Sequence, residues 1–190
     1  MGNQSVVERT LHTLKGFRTG LMMVTIQPAQ QHHFAAIADL NVEAYREYAA
    51  YLTTEAWTTM QTSLRSVERL AQQQTFLVTL IANDLAGSIA YCPPGNSLAP
   101  IPSDWASVLL LAVSPCYRRQ GIGRSLLYAC IQQAREDGAQ TVGLYTSEVM
   151  TGACQLYESF GFCKDSEIPQ RLGLKYWRYR FDLTAILSNG

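Results

Sequence analysis

Residues 108–134 read VLLLAVSPCYRRQGIGRSLLYACIQQA, and the way this stretch folds decides the rest. An apolar run closes at Pro115, and Arg118, Arg119, Gly121 and Gly123 follow. From about Ile122 apolar residues recur at helical spacing to Asp137, and Gly138 suits the position just past a helix end. The order is strand, glycine turn, helix N-terminus. Such a junction leaves the first helical N–H groups unpaired at the positive end of the helix dipole, a setting for a phosphate-bearing ligand. Two phosphate-binding patterns fail here. A P-loop needs Lys where Arg124 stands and Gly where Arg118 stands. A dinucleotide fingerprint starting at Gly121 needs a small residue where Leu126 stands, and it belongs on the first strand of a parallel sheet, whereas several strands come earlier here.

Upstream, residues 22–26 are apolar and β-branched and predict a strand broken by Pro28. Residues 30–48 and 53–73 carry apolar positions at helical spacing. Residues 75–82 and 86–92 predict a hairpin about Asn83-Asp84, and residues 93–102 hold four of the seven prolines and predict an irregular loop before a strand at 105–113. Downstream, the pattern gives a strand at 141–146, a helix at 150–160 ended by Gly161, a strand at 162–165, a loop at 166–173 and a last strand at 174–183. The fold class expected is α/β, with a mixed central sheet, antiparallel in its first half, flanked by helices. One domain spans 22–190. Residues 1–21 are expected as an N-terminal extension, either a short amphipathic helix or loosely held.

A chain of 190 residues suits a single domain with a substantial core, and 47% hydrophobic against 16% charged residues suits a globular one. The formal net charge of zero removes the bulk electrostatic case for a nucleic-acid partner. Cys92, Cys116, Cys130, Cys154 and Cys163 form no C-x-x-C pair and have no His at metal-ligand spacing, which argues against a disulfide framework and a metal site. No apolar run approaches the ~20 residues of a membrane helix. Met1-Gly2 is followed by Val6 where a myristoylation pattern wants Ser or Thr. A cytoplasmic protein with no membrane partner is the resulting expectation.

A third pattern fits the glycine turn. Arg118, Gly121 and Gly123 match R/Q-x-x-G-x-G/A, and the element order from about Met22 to Leu183 resembles the GNAT superfamily of N-acetyltransferases. The segment MTGACQLYESFGF from Met150 is similar to the family's N-x-x-A-x-x-L-Y-x-x-x-G-F at Ala153, Leu156, Tyr157, Gly161 and Phe162, with Met150 in place of the usual asparagine. The resemblance implies an acetyl-coenzyme A site, with no metal, in which N–H groups across Arg119, Gln120, Gly121, Ile122, Gly123, Arg124 and Ser125 surround the pyrophosphate and Arg118, Arg119 and Arg124 add charge. It implies further that Leu111, Ala112 and Val113 pair with the pantetheine arm, that the Val113 N–H polarises the thioester carbonyl, that Met150 and Ala153 border the cofactor, and that Tyr157 is the general acid toward the leaving thiolate.

The strand before the turn offers no carboxylate as a base. Asp104, Glu148, Glu43 and Glu55 are weak candidates, and deprotonation of the amine through ordered water is expected instead. Tyr45, Tyr48, Tyr51 and Trp57 are candidates for an acceptor pocket through their π faces, with core packing an equal account of them. The function expected is transfer of acetyl to a primary amine of a small molecule by direct attack in a ternary complex, with a homodimer left open. A protein N-terminus or lysine is the alternative acceptor, its groove formed or closed by the loops at 93–102 and 166–173. A coenzyme A sensor without catalysis is the alternative of another class.

Overall fold

The computed structural model describes residues 14–19 and 22–184. Among them, eight strands form one sheet in the order β1-β2-β3-β4-β5-β6-β8-β7. These are β1 (Leu14–Thr19), β2 (Met22–Pro28), β3 (Thr75–Ile81), β4 (Asp84–Cys92), β5 (Ala106–Val113), β6 (Thr141–Ser147), β7 (Cys163–Arg171) and β8 (Leu174–Asp182). The helices are α1 (Phe34–Tyr45), α2 (Thr54–Leu64), α3 (Val67–Leu70), α4 (Ile122–Glu136) and α5 (Thr151–Ser159). Strands β1 to β5 pair antiparallel in succession, β5 and β6 are parallel, and β8 pairs antiparallel with both β6 and β7. This is the expected mixed sheet with an antiparallel first half.

Helix α4 has the clearest sequence pattern. Ile122, Leu126, Leu127, Cys130, Ile131 and Ala134 form one buried face, and together with β-sheet residues such as Ile89, Val108, Val142 and Leu144 they make the main core. Gly87 on β4 lets this helix lie close: a Cβ there would meet Ile122 Cγ2 at 2.8 Å and Leu126 Cδ1 at 3.1 Å. On the opposite face, Ile37 and Ala38 of α1 and Val67 of α3 cover Phe76, Val78 and Ala90.

Four local expectations need correction. Within the expected extension, Leu14–Thr19 is a strand paired with β2 where a short helix was one reading; residues 1–13, 20 and 21 lie outside the described residues. The single helix expected at 53–73 stops at Leu64 and resumes briefly at Val67. Thr58, Thr59, Thr62, Ser63 and Ser66 each donate a hydroxyl proton to the carbonyl four residues back, a bonding mode that loosens and bends a helix. The hairpin turn is Ala82-Asn83, at φ 50° and 70°, and Asp84 already belongs to β4.

The fourth concerns the loop expected at 166–173. Ser166 to Arg171 continue β7 and only Leu172-Gly173 turn, at φ 55° and 77°. The polar run KDSEIPQR hides this strand because β7 is an edge strand whose one buried side chain is Ile168; charged residues and a proline are tolerated there.

Two features shape a cleft in the middle of the sheet. The parallel pairing of β5 with β6 extends only over Ala106↔Val142 and Ser107↔Gly143, after which the strands diverge. In the diverging part β5 has a register shift against β4, with Leu110 in the left-handed region at φ 52°.

Candidate active site

The gap between β5 and β6 widens into a cleft of about 1030 Å³. One end is bordered by Arg118, Arg119, Gly121, Gly123 and Arg124, the middle by Leu111, Val113, Met150, Ala153, Leu156 and Tyr157, and the other end by Tyr45, Tyr48, Tyr145, Arg171 and Tyr176. Strand, turn and helix order the first end. The strand delivers the chain to a short 3-10 turn at Pro115–Tyr117, Arg119 and Gly121 take positive φ of 63° and 80°, and α4 begins at Ile122. Gly121 is the N-cap, and no side chain caps the helix. The first N–H inside the helix to find a carbonyl is that of Ser125, on Gly121. The N–H groups ahead of it therefore face the cleft as a positive rim.

The three arginines of the turn differ in what they touch. Arg118 donates to the carbonyl of Ala44 at 2.9 Å and to that of Val113 at 3.5 Å, and pairs with Glu47 at 2.9 Å, so it ties the turn to the end of α1. Arg118 also borders the cleft, where a charge contact with phosphate was expected of it. Arg124 reaches Ser159 Oγ at 3.2 Å and lies 4.6 Å from the Phe160 ring centroid, bracing α4 against α5. Arg119 has no hydrogen bond or ion pair among the described residues and is exposed, which leaves it as the turn's available cation.

Strand β5 supplies a free edge. Ser114 donates to Ala86 at 2.9 Å, so Ala112 turns its amide toward β4 as well, and Val113 turns its own away, into the gap. Ala112 is buried against Leu40 and Ala44 and does not border the cleft. Ser125, at 3% exposure, sits on the buried side of α4, and Gln120 donates to the Cys116 carbonyl at 3.5 Å. These three expected cofactor residues present no side chain to the cleft, while Leu111, Val113, Arg119, Gly121, Ile122, Gly123, Arg124, Met150, Ala153 and Tyr157 border it.

Tyr157, on α5, is 8% exposed, packs at 6.0 Å from Phe162 and 6.5 Å from Tyr179, and its hydroxyl makes no hydrogen bond among the described residues. Burial pushes its phenol well above the ordinary value, with Cys154, Tyr48 and Cys130 adding to the shift. Tyr48 is pushed up to about 12 by burial and by Glu47, and Tyr45 rises through burial and the nearby phenols of Tyr157, Tyr48, Tyr176 and Tyr145. The phenols of Tyr45 and Tyr48 are therefore neutral at ordinary pH.

None of Asp104, Glu148, Glu43 and Glu55 borders the cleft; Glu47 does, already paired with Arg118. Trp57 packs on the cluster of Val42, Met60, Leu64 and Met150 that Tyr45 and Tyr48 also meet, but unlike them it does not border the cleft. Residues 93–102 lie outside the cleft lining, so of the two loops expected to shape a groove only the second does so, through Arg171 and Leu172. Sequence reading missed Tyr145, Tyr176 and Arg171. The alternation of β8 marks Tyr176 as one of a same-face set, but the face that meets the cleft depends on strand order. Among the described residues no group of three His, Cys, Asp or Glu side chains converges, and the five cysteines are free.

A mixed sheet opened between two parallel strands, with an uncapped helix N-terminus at one end of the gap, offers a setting for a phosphate-bearing ligand along a strand edge. The chain belongs to the acetyltransferase (GNAT) family, whose model matches residues 34–162. It is 29% identical over 138 residues to N-acetyltransferase 8F1 of Rattus norvegicus, a match covering 72% of this chain and 57% of that protein. It is 41% identical over 59 residues to the ribosomal protein bS18-alanine N-acetyltransferase of Escherichia coli, covering 31% of this chain and 40% of that one. Its span is thus about half the length of these relatives. The paia N-acetyltransferase of Thermoplasma acidophilum, solved in complex with coenzyme A, shares the fold with a TM-score of 0.68 at 18% identity, over 84% of this chain and all (100%) of that one.

Proposed function

We propose that the chain binds acetyl-coenzyme A at the glycine turn and transfers the acetyl group to a primary amine of a small molecule, by direct attack with both substrates bound. The observation that carries this reading is the shared cleft: the uncapped start of α4, the free edge of β5 and the unpartnered Tyr157 hydroxyl all open onto it. The pyrophosphate sits against the N–H groups of residues 119–124 with Arg119 beside it. Gly123 fits that role, because a Cβ there meets Leu156 and Val113 at 3.5 Å and Leu111 at 3.9 Å, all ordinary contact distances. The protein's own packing does not exclude a side chain at this position, so the demand for glycine comes from the ligand.

The pantetheine arm runs along β5, and the Val113 N–H donates to the thioester oxygen, stabilising the charge that develops as the amine nitrogen bonds to the carbonyl carbon. As the carbon–sulfur bond breaks, the Tyr157 hydroxyl donates a hydrogen bond to sulfur. A thiol has an ordinary pKa of about 8.5, far below that of a buried phenol, so Tyr157 lends its proton and keeps it. The proton the thiolate finally takes is one shed by the attacking amine, and ordered water carries the other steps in the absence of a free carboxylate.

Calorimetric titration with acetyl-coenzyme A, followed by release of free thiol in the presence of polyamines, amino acids and peptides, tests the reading. Absence of binding up to ~1 mM, the top of the usual KM range, overturns it. A second reading, a protein N-terminus as acceptor, draws support from the activity named for the Escherichia coli relative; selective turnover of peptides would favour it. A sensor without turnover is separated by Tyr157→Phe, which leaves a sensor unaffected and slows an enzyme.

A further inference from the structure

This inference rests on the transferase reading and concerns its acceptor. The β7–β8 hairpin ends in a two-residue turn with Leu172 and Gly173 both at positive φ. A leucine in that conformation is strained unless its surroundings hold it, and Leu172 packs against the cluster of Val42, Met60, Leu64 and Met150. The tip is thereby anchored on α2 and on the start of α5, and Arg171, the residue before it, is placed at the far end of the cleft from the glycine turn.

The Arg171 guanidinium lies 4.9 Å from the centroid of the Tyr145 ring, close enough to the Tyr176 phenol to act on its titration. It has no carboxylate partner among the described residues. On β7, Glu167 pairs with Lys175 at 3.2 Å and Asp165 with Arg178, and Glu47, which borders the cleft, pairs with Arg118 at 2.9 Å. A guanidinium stacked on an aromatic face keeps its edge donors directed and available, in the fork geometry that fits a carboxylate. Among the described residues no unpaired carboxylate borders the cleft to receive a second ammonium. The tyrosine rings there offer apolar surface. On α2, Thr59 and Ser63 border the cleft and donate their hydroxyl protons to helix carbonyls, leaving their oxygens to accept from an N–H.

We propose that the acceptor is an amino acid-type amine, a primary amine next to a carboxylate with an apolar side chain, in which Arg171 pairs with the carboxylate and the rings of Tyr45, Tyr145 and Tyr176 pack the side chain. The amine then points along the cleft toward Val113 and Tyr157.

The test compares phenylalanine, phenylalaninamide and spermidine at equal concentrations of free amine, in the full chain and in Arg171→Gln and Arg171→Lys, by turnover and by calorimetric binding to the coenzyme A complex. Phenylalanine is expected to exceed its amide by about tenfold or more, mainly through KM, since a charged hydrogen-bonded pair is lost. Arg171→Gln removes the preference, Arg171→Lys restores part of it, and acetyl-coenzyme A affinity is the same in all three. An amide used as well as the acid, a preference for spermidine, or a preference that survives Arg171→Gln overturns the assignment. So does failure of all three amines to bind a chain that binds acetyl-coenzyme A, which leaves the transferase reading standing. Failure to bind acetyl-coenzyme A overturns both.

Discussion

The two ends of the cleft are made of different material. At the glycine turn the unpaired N–H groups that face the cleft belong to the backbone, fixed by the left-handed Arg119 and Gly121 and by the start of α4. At the other end they are side chains: Tyr45 and Tyr48 from the end of α1 and the turn after it, Tyr145 from β6, Arg171 from the hairpin tip and Tyr176 from β8. Backbone donors are set by a few consecutive residues and tolerate many side chains. A side-chain site is assembled from elements far apart in sequence and changes with any one of them. A donor substrate held in common and an acceptor that varies between relatives would divide along this line.

The largest effect is expected at the boundary between the ends. Tyr157→Phe removes one oxygen from a residue that already packs on Phe162 and Tyr179, so folding and acetyl-coenzyme A affinity hold while kcat falls about 100-fold, the lower range for a positioned proton donor. The pH profile sharpens this. An ordinary tyrosine loses its proton near 10, and burial raises that value for Tyr157, so the protonated, competent form persists past pH 10. No fall in kcat from loss of the Tyr157 proton is expected up to about pH 10; a fall below that pH that disappears in Tyr157→Phe breaks the assignment.

Next in size are the glycines. Gly121→Val forces a β-branched residue to φ 80°, at a cost of about 1–3 kcal/mol, and turns the following N–H groups away from the ligand. Acetyl-coenzyme A should bind about 10- to 100-fold more weakly. Gly123→Ala provides the contrast, since its new methyl meets the protein at ordinary contact distance. Its melting temperature should match the parent while affinity falls. Equal affinity in Gly123→Ala would show that no ligand approaches that backbone.

These two glycines also show what a sequence conveys. Turn, strand and helix around residues 108–134 are neighbours along the chain, and hydrophobic period and glycine spacing suffice to place them. The loop expected at 166–173 fails for the opposite reason: β7 gains its strand character from pairing with β8, since only Ile168 along it is buried and no alternation announces it. Arg171 was unreadable as a site residue because its place depends on that pairing and on where Leu172 finds its cluster. The role of Arg118 was similarly hidden. Its motif position suggests phosphate, but its guanidinium meets Ala44 and Glu47, more than seventy residues earlier in the chain (74 for Ala44).

The arginines therefore offer a smaller, paired test. Arg119→Ala should weaken acetyl-coenzyme A binding about three- to tenfold, a charge-assisted contact reduced by solvent, with an effect that shrinks as salt is raised. Arg118→Ala should act chiefly on stability. Its pair with Glu47 is exposed and worth at most about 1 kcal/mol, and loss of the bond to Ala44 adds a similar amount. A double-mutant cycle of Arg118→Ala with Glu47→Gln, read by denaturant midpoint, should give a coupling of that order. If Arg118→Ala instead lowers affinity as Arg119→Ala does, with stability intact, the guanidinium moves to the phosphate when ligand binds.

The smallest effect is expected at Val113, and its size is the point. If the thioester oxygen is polarised by a backbone N–H, the side chain of that residue is incidental, and Val113→Ala should change kcat by less than about twofold. The N–H is directed by the antiparallel pairing of β5 with β4, in which Ser114 bonds Ala86 at 2.9 Å and Val113 faces Gly87 without a bond between them. Neither contact involves the isopropyl group. That group does touch the space beside Gly123, so its loss widens the cleft slightly, and any change should fall on KM for acetyl-coenzyme A. A large drop in kcat with unchanged KM would mean that the side chain positions the reacting carbonyl, and the division between a backbone-built end and a side-chain-built end would then fail in the middle of the cleft.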